Sequence, residues 1–307
     1  MKFDINEIPS QNGRIAIVTG ANDGLGFQTT LALSKTGMRV VMACRSLEKG
    51  DKALKRIIRR VPEANLELMH LDLSKLSSVR IFADEYRQRH EHLDLLINNA
   101  GIMMPPYELT EDDFESQLGV NYLGHFLLTG LLLSLLEKTP GSRVISLASI
   151  AHRSGKIHFN DLNFKRKYSA FAAYSQSKLA CLIFAKELQR RLDKSGSKVL
   201  SVAAHPGISS THLFRYVPKW IILLFGGLMR AIMVQSPENG AKTIQCAALC
   251  NNIQGGDYIG PSGWQEWKGE PVNVDSSKLS NNQEIAKRLW TESEKLTKFE
   301  YSFRAKT

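Results

Sequence analysis

The chain has 307 residues, 40 Lys and Arg against 30 Asp and Glu for a formal net charge of +10, 43% apolar residues and four cysteines. Such a composition excludes a disordered chain, a collagen-like fibre and a disulfide-stapled mini-protein, and the length suffices for a large core. The N-terminal MKFDINEIPSQNGR carries acids and no apolar stretch, unlike a secretory signal. The longest uncharged apolar runs, Leu123 to Leu136 and Trp220 to Met229, fall short of the ~20 residues of a membrane-spanning helix.

Short aliphatic runs alternate with amphipathic stretches. The runs predict strands at Ile15–Thr19, Val40–Ala43, Leu66–Leu71, Leu93–Asn98, Arg143–Ser149, Val199–His205 and one near Tyr258. Most are continuously apolar, as in a parallel sheet covered on both faces. Helices are predicted at 24–36, 47–60, 74–90, 112–137, 171–195, 237–249 and 282–297. Crossovers of this length build a doubly wound parallel sheet, so the fold class is a Rossmann-like α/β fold in a single domain over 1–307. Residues 207–236 break the rhythm as an apolar insertion.

Lys49, Lys52, Lys55, Arg56, Arg59 and Arg60 form a basic stretch, and Lys165, Arg166 and Lys167 a second one. Leu54, Ile57, Ile58 and Val61 give the first stretch an apolar stripe, so its charges read as a solvated helix face rather than a nucleic-acid site. Cys44, Cys181, Cys246 and Cys250 include no C-x-x-C pair and have no flanking His to make a zinc site, which implies reduced thiols, an intracellular chain and no metal.

The first strand runs into Thr19-Gly20-Ala21-Asn22-Asp23-Gly24-Leu25-Gly26, a glycine-rich turn opening a helix. Glycines suit that place because the backbone must approach a pyrophosphate closely, while the free N–H groups of the helix start stabilise the anion. In a Rossmann-type site an acid at the end of the second strand holds the ribose 2′-hydroxyl. Here that end reads Val41-Met42-Ala43-Cys44-Arg45-Ser46, and a guanidinium in place of the acid favours NADP over NAD. Arg45 also reads as the wet start of a helix, and Asp23 would oppose a 2′-phosphate beside it. After the third strand, Asp72 suits either the adenine amino group or an N-terminal cap for helix 74–90. After the fourth, Asn98 is placed to knit neighbouring strands, while Ala100 and Gly101 leave room for a ribose.

Tyr174 and Lys178 lie four residues apart on one helix, so phenol and ammonium share a face and the cation favours the phenolate. Ser149 stands at the mouth of the fifth strand. No carboxylate or cysteine keeps metal-ligand spacing with His152 and His158, and His125 looks like a satisfied core residue.

TGANDGLG, Asp72, NNAG, Asn121, Ser149, Tyr174-x-x-x-Lys178 and His205-Pro206-Gly207, in this order over nearly the whole chain, resemble the short-chain dehydrogenases/reductases. GVNYLGHFLLT (119–129), SIAHRSGKIHFNDL (149–162) and AYSQSKLACLIFAKEL (173–188) resemble more narrowly the retinol dehydrogenase branch. The resemblance implies Tyr174 as general acid/base, Lys178 as the cation that tunes it and binds the nicotinamide ribose, Ser149 as hydrogen-bond donor to the substrate oxygen, and Asn121 as holder of a water in the proton relay. With the motifs above, the expected cofactor contacts are Gly20, Asn22, Asp23, Gly24, Leu25, Gly26, Arg45, Asp72, Leu73, Asn99, Ala100, Gly101, Tyr174, Lys178, Pro206 and Gly207. Two departures stand out: Ala148 where the branch often has a second serine, and Asp23 in place of a serine.

The expectation is therefore an NADP(H)-dependent oxidoreductase interconverting an alcohol with an aldehyde or ketone, on a retinoid, steroid or other lipid-derived substrate. A non-catalytic nucleotide-binding regulator on the same fold is the alternative. By the same resemblance, residues 207–236 form a substrate lid; ordinary core packing is the plainer reading. Lys219 and Arg230 permit shallow membrane contact through 217–230, so the location expected is cytoplasmic or peripheral to a membrane. Helices 112–137 and 171–195 are the faces through which a homodimer would form.

Overall fold

At the centre of the sheet, apolar runs become strands because neither face of them meets water. In the computed structural model, which describes residues 3–208 and 235–303, β1 (Ile15–Thr19) and β4 (Leu95–Asn98) are buried at every position. Beside them lie β2 (Arg39–Cys44), β3 (Leu66–His70), β5 (Arg143–Leu147), β6 (Leu200–Ala204), β7 (Tyr258–Pro261) and β8 (Pro271–Asn273). They form one sheet in the order β3-β2-β1-β4-β5-β6-β7-β8. The first seven strands are parallel, and β8 pairs antiparallel with β7. The order reverses between β1 and β4, which opens a crevice at their C-terminal ends where such sheets bind ligands.

Helices cover both faces. α1 (Gly24–Lys35), α2 (Leu47–Ile58) and α6 (Pro237–Leu249) pack on one side; α3 (Leu76–Arg89), α4 (Ser116–Glu137), α5 (Ala170–Ser195) and α7 (Gln283–Thr297) pack on the other. α2 buries Gly50, Ala53 and Ile57, while Ile58 is 39% exposed, so the buried face is rotated from the expected stripe. Gly50 decides this: a Cβ there would lie 2.5 Å from Leu68 of β3. Glu48–Lys52 and Asp51–Lys55 pairs and the stacking of Arg56 on Phe27 occupy much of the basic face.

α4 starts at Ser116 rather than at 112, because the buried Glu115 carboxylate accepts from the Gln117 and Leu118 N–H groups and sets the cap there. A π-turn over Gly119–Leu123 interrupts it. By length and composition α4 could cross a membrane, but 78% of its apolar window is buried inside the protein. Its outer face, with that of α5, is closed by the chain's own C-terminal part. Trp290 of α7 packs on Phe126 and stacks on Phe184, and the Tyr301 hydroxyl donates to the Phe126 carbonyl at 2.6 Å. Gly130 touches Phe299 so closely that a Cβ would come within 2.2 Å of its ring.

Candidate active site

The glycine turn is built by contact. Gly20 adopts φ +66, and its N–H donates to the Ala43 carbonyl at 2.8 Å, tying the turn to β2. Gly26 faces Gly20 at the next turn, where a Cβ would lie 2.2 Å from the Gly20 oxygen and 2.6 Å from Asn99 Nδ2. α1 can therefore start this close to β1 only with glycine at 26. Asn22 is partly buried and Leu25 buried; Asp23 caps α1, its carboxylate accepting from the Gly24 N–H at 2.8 Å. The Cys44 thiol lies under the turn beside the Ala21 and Asn22 amides, and burial pushes its pKa up to about 11.

Asn99, not Asn98, knits the strands. Asn99 Nδ2 donates to the Thr19 carbonyl at 2.7 Å, and the Asn99 and Ala100 N–H groups both donate to Thr19 Oγ1 at 2.9 Å. Asn98 instead reaches α4, where Nδ2 donates to Thr129 Oγ1 at 3.0 Å. Thr19 also lies 2.9 Å from Nε2 of buried His125, whose Nδ1 is 3.0 Å from the Asn121 carbonyl. A carbonyl only accepts, so Nδ1 carries the hydrogen and Thr19 donates to Nε2. Burial drops His125 to a pKa of about 4, which keeps the ring neutral. Sequence reasoning missed Thr19 because a threonine at a strand end has no signature; its role appears only through partners at 99, 100 and 125.

Arg45 follows the last residue of β2 and is exposed, with no hydrogen bond or ion pair among the described residues. It is not a helix start: Ser46 caps α2. Nor does Asp72 cap α3. Its Oδ1 accepts from the Ser74 N–H and hydroxyl at 3.0 and 2.7 Å, and the Leu76 N–H donates to Asp112 Oδ2 at 2.8 Å. Leu73 is buried against α4, where a Cβ on Gly124 would meet its carbonyl at 2.7 Å.

Ser149 lies just beyond β5 and caps a 3-10 turn over Ile150–Ser154, Oγ accepting from the Ala151 N–H at 3.2 Å. That turn abuts α5: a Cβ on Gly155 would lie 2.5 Å from the Ser175 carbonyl, next to Tyr174. Tyr174 is buried, and its hydroxyl has no hydrogen-bond partner among the described residues. Lys178 Nζ lies 6.0 Å from the Tyr174 ring centroid and donates to the Leu147 carbonyl at 2.9 Å. Gly101 borders the same space, since a Cβ there would be 3.5 Å from Lys178 Nζ and 3.1 Å from Asn121 Oδ1. The Asn121 side chain clamps Ile102: Oδ1 accepts from its N–H at 2.8 Å, and Nδ2 donates to its carbonyl at 3.0 Å and to Ser177 Oγ at 2.9 Å. Pro206 and Gly207 follow β6, with Gly207 at φ +65. Of the expected lid, residues 209–234 lie outside the described residues.

A parallel sheet with this switch point and a glycine-rich turn at its crevice is the architecture of dinucleotide-dependent oxidoreductases. The chain belongs to the short-chain dehydrogenase family, whose model matches residues 14–221. Within it, the chain falls in the retinol dehydrogenase branch. It is 42% identical to human (Homo sapiens) retinol dehydrogenase 13 over 295 residues, covering 94% of this chain and 86% of that protein. It is 40% identical to mouse (Mus musculus) polyprenol dehydrogenase over 296 residues, covering 94% and 85%. A crystal structure of a putative uncharacterized protein from Mycobacterium Paratuberculosis superposes with a TM-score of 0.81 at 39% identity, covering 98% of this chain and all of the other.

Proposed function

We propose that this oxidoreductase uses NADP(H) and interconverts an alcohol with an aldehyde or ketone on an apolar substrate. The observation that carries the cofactor preference is Arg45, an exposed guanidinium without a counter-ion among the described residues, at the strand end where an NAD site places an acid. Bidentate, charge-assisted bonds from arginine suit a 2′-phosphate. The cradle fits the rest of the group: Gly20 and Gly26 keep the turn open to a pyrophosphate, and Asn99 Oδ1 is buried without a partner among the described residues, an acceptor that a ribose hydroxyl would satisfy.

When bound, the nicotinamide supplies or accepts the hydride. Tyr174 gives a proton to the nascent alkoxide, or takes it from the alcohol. Lys178, on the same helix face, stabilises the phenolate and would hold the nicotinamide ribose. Ser149 Oγ donates to the substrate oxygen, and Asn121 holds the Ile102 backbone beside them. Phe171, one turn before Tyr174 and 52% exposed, offers apolar surface for the substrate. The reading also places the enzyme in the cytoplasm with shallow membrane contact through 217–230. A panel of short and long carbonyls with NADPH and NADH, followed by nicotinamide absorbance, tests it. Turnover should favour NADPH and long apolar carbonyls; NADPH binding without turnover on any of them would favour a regulatory protein.

A further inference from the structure

Three segments far apart in sequence meet at Glu266. Its Oε1 accepts from Arg153 Nη2 at 2.6 Å, and its Oε2 lies 3.1 Å from His205 Nε2, off the line of a hydrogen bond. Arg153 belongs to the 3-10 turn that Ser149 caps. His205 follows β6 and is fully buried; its Nδ1 accepts from the Gly207 N–H at 3.2 Å. Burial holds His205 below the usual histidine range, so the ring is neutral and its one hydrogen sits on Nε2, the ring nitrogen 3.1 Å from the carboxylate. Burial pushes Glu266 up, but His205 and Arg153 outweigh it and hold the carboxyl below its usual range.

The backbone is strained to bring Glu266 there. Gln265 at φ +52 and Glu266 at φ +57 both occupy the left-handed region, which two consecutive side-chain-bearing residues adopt only where the surroundings hold them. Docking supplies that hold. The Ile208 N–H donates to the Trp267 carbonyl at 2.9 Å, and a Cβ on Gly207 would lie 2.2 Å from the same oxygen. On the serine side, His152 Nδ1 donates to the Ser149 carbonyl at 2.7 Å while its Nε2 accepts from the Ser277 N–H at 3.2 Å. Arg153 also donates to the Asp275 carbonyl at 3.2 Å.

We propose that Glu266 is a positioning residue for the reaction: by bridging Arg153 and His205 it fixes the turn carrying Ser149 against the turn that follows β6. The Glu266 side chain makes no hydrogen bond to Ser149, Tyr174, Lys178 or Asn121, so its influence runs through the two turns. The proposal rests on the oxidoreductase reading for its kinetic consequence, but the bridge has a second readout that needs no substrate.

The experiment compares wild type with Glu266→Gln, which keeps the shape and removes the charge, and Glu266→Asp, which keeps the charge on a shorter arm. In the full-length protein, turnover of a long-chain aldehyde with NADPH is measured beside amide hydrogen exchange. Glu266→Gln should lower kcat at least tenfold with the KM for NADPH within twofold and the melting temperature nearly unchanged, while exchange rises in peptides covering 149–154 and 205–208 and stays constant in α5. Glu266→Asp should recover part of kcat. Unchanged kcat in Glu266→Gln overturns the proposal, as does a fall matched by loss of folded protein. If wild type turns over nothing, the oxidoreductase reading fails separately, and exchange decides: unchanged protection in both turns overturns the bridge.

Discussion

The turn after β1 and the turns after β5 and β6 both face the crevice, and they are held in different ways. The first is fixed by backbone and close packing: Gly26 against the Gly20 carbonyl, and Thr19 under the Asn99 and Ala100 amides. The others are fixed by ionisable side chains drawn from distant segments, Arg153, His205 and Glu266, with His152 beneath Ser149. A cofactor common to many reactions needs one rigid cradle. On the other side, sheet pairing carries β5 and β6 together as far as the Ala148 N–H and the Ala204 carbonyl, and beyond that point side chains from distant segments hold the two turns.

The largest expected effect breaks the chemistry and leaves both supports intact. Tyr174→Phe removes one hydroxyl that has no partner among the described residues, so NADPH affinity and melting temperature should hold while turnover falls by the ~10²–10⁴-fold of a lost general acid. Undiminished turnover would remove Tyr174 from the proton path.

Acid should act next, on stability. His125 is buried and neutral with its pKa lowered by burial to about 4, so the unfolded chain binds protons before the folded one does. Its contribution is complete above the ordinary histidine pKa of ~6.5 and is lost as pH falls through about 4, roughly 3 kcal/mol in all. His152, held down to about 4 by burial, acts in the same direction. Thermal unfolding followed from pH 7 to 4 checks this, and His125→Asn should flatten the slope; an equal slope in the variant would contradict it.

Arg45→Ala sharpens the comparison at the cofactor cradle. It should weaken NADPH by ~1.5–3 kcal/mol, the range for hydrogen bonds to charged groups, and leave NADH nearly unchanged in a fluorescence titration. Equal losses for both would remove Arg45 from 2′-phosphate recognition. Gly26→Ala has the smallest expected effect of the four, ~1–3 kcal/mol of stability from overpacking against a carbonyl that cannot swing away, with weaker binding of both cofactors. A neutral Gly26→Ala would show that the turn is not packed as described.

The same contrast decides what was legible in the sequence. The β1 turn could be read because glycine spacing and helix caps are local signals, and the parallel strands because most of their runs are continuously apolar. β8 escaped notice: three residues beginning with proline, one of them Val272 at 37% exposure, leave no periodicity to see. Asp72 was ambiguous because an Asx turn and a helix cap use the same residue at nearly the same place. Asn98 and Asn99 are adjacent asparagines, and only the strand pleat determines which of them points back to Thr19. Glu266 could not be found from sequence, since its partners lie 113 residues away at Arg153 and, at His205, on another strand end.

The most direct test of the oxidoreductase reading follows the hydride itself. Wild-type protein is incubated with a long-chain apolar aldehyde and NADPH deuterated at the transferable position of the nicotinamide, and the product is weighed by mass spectrometry. An alcohol carrying one deuterium is the predicted result. An unlabelled alcohol, or unreacted aldehyde beside bound NADPH across a range of apolar carbonyls, would contradict it.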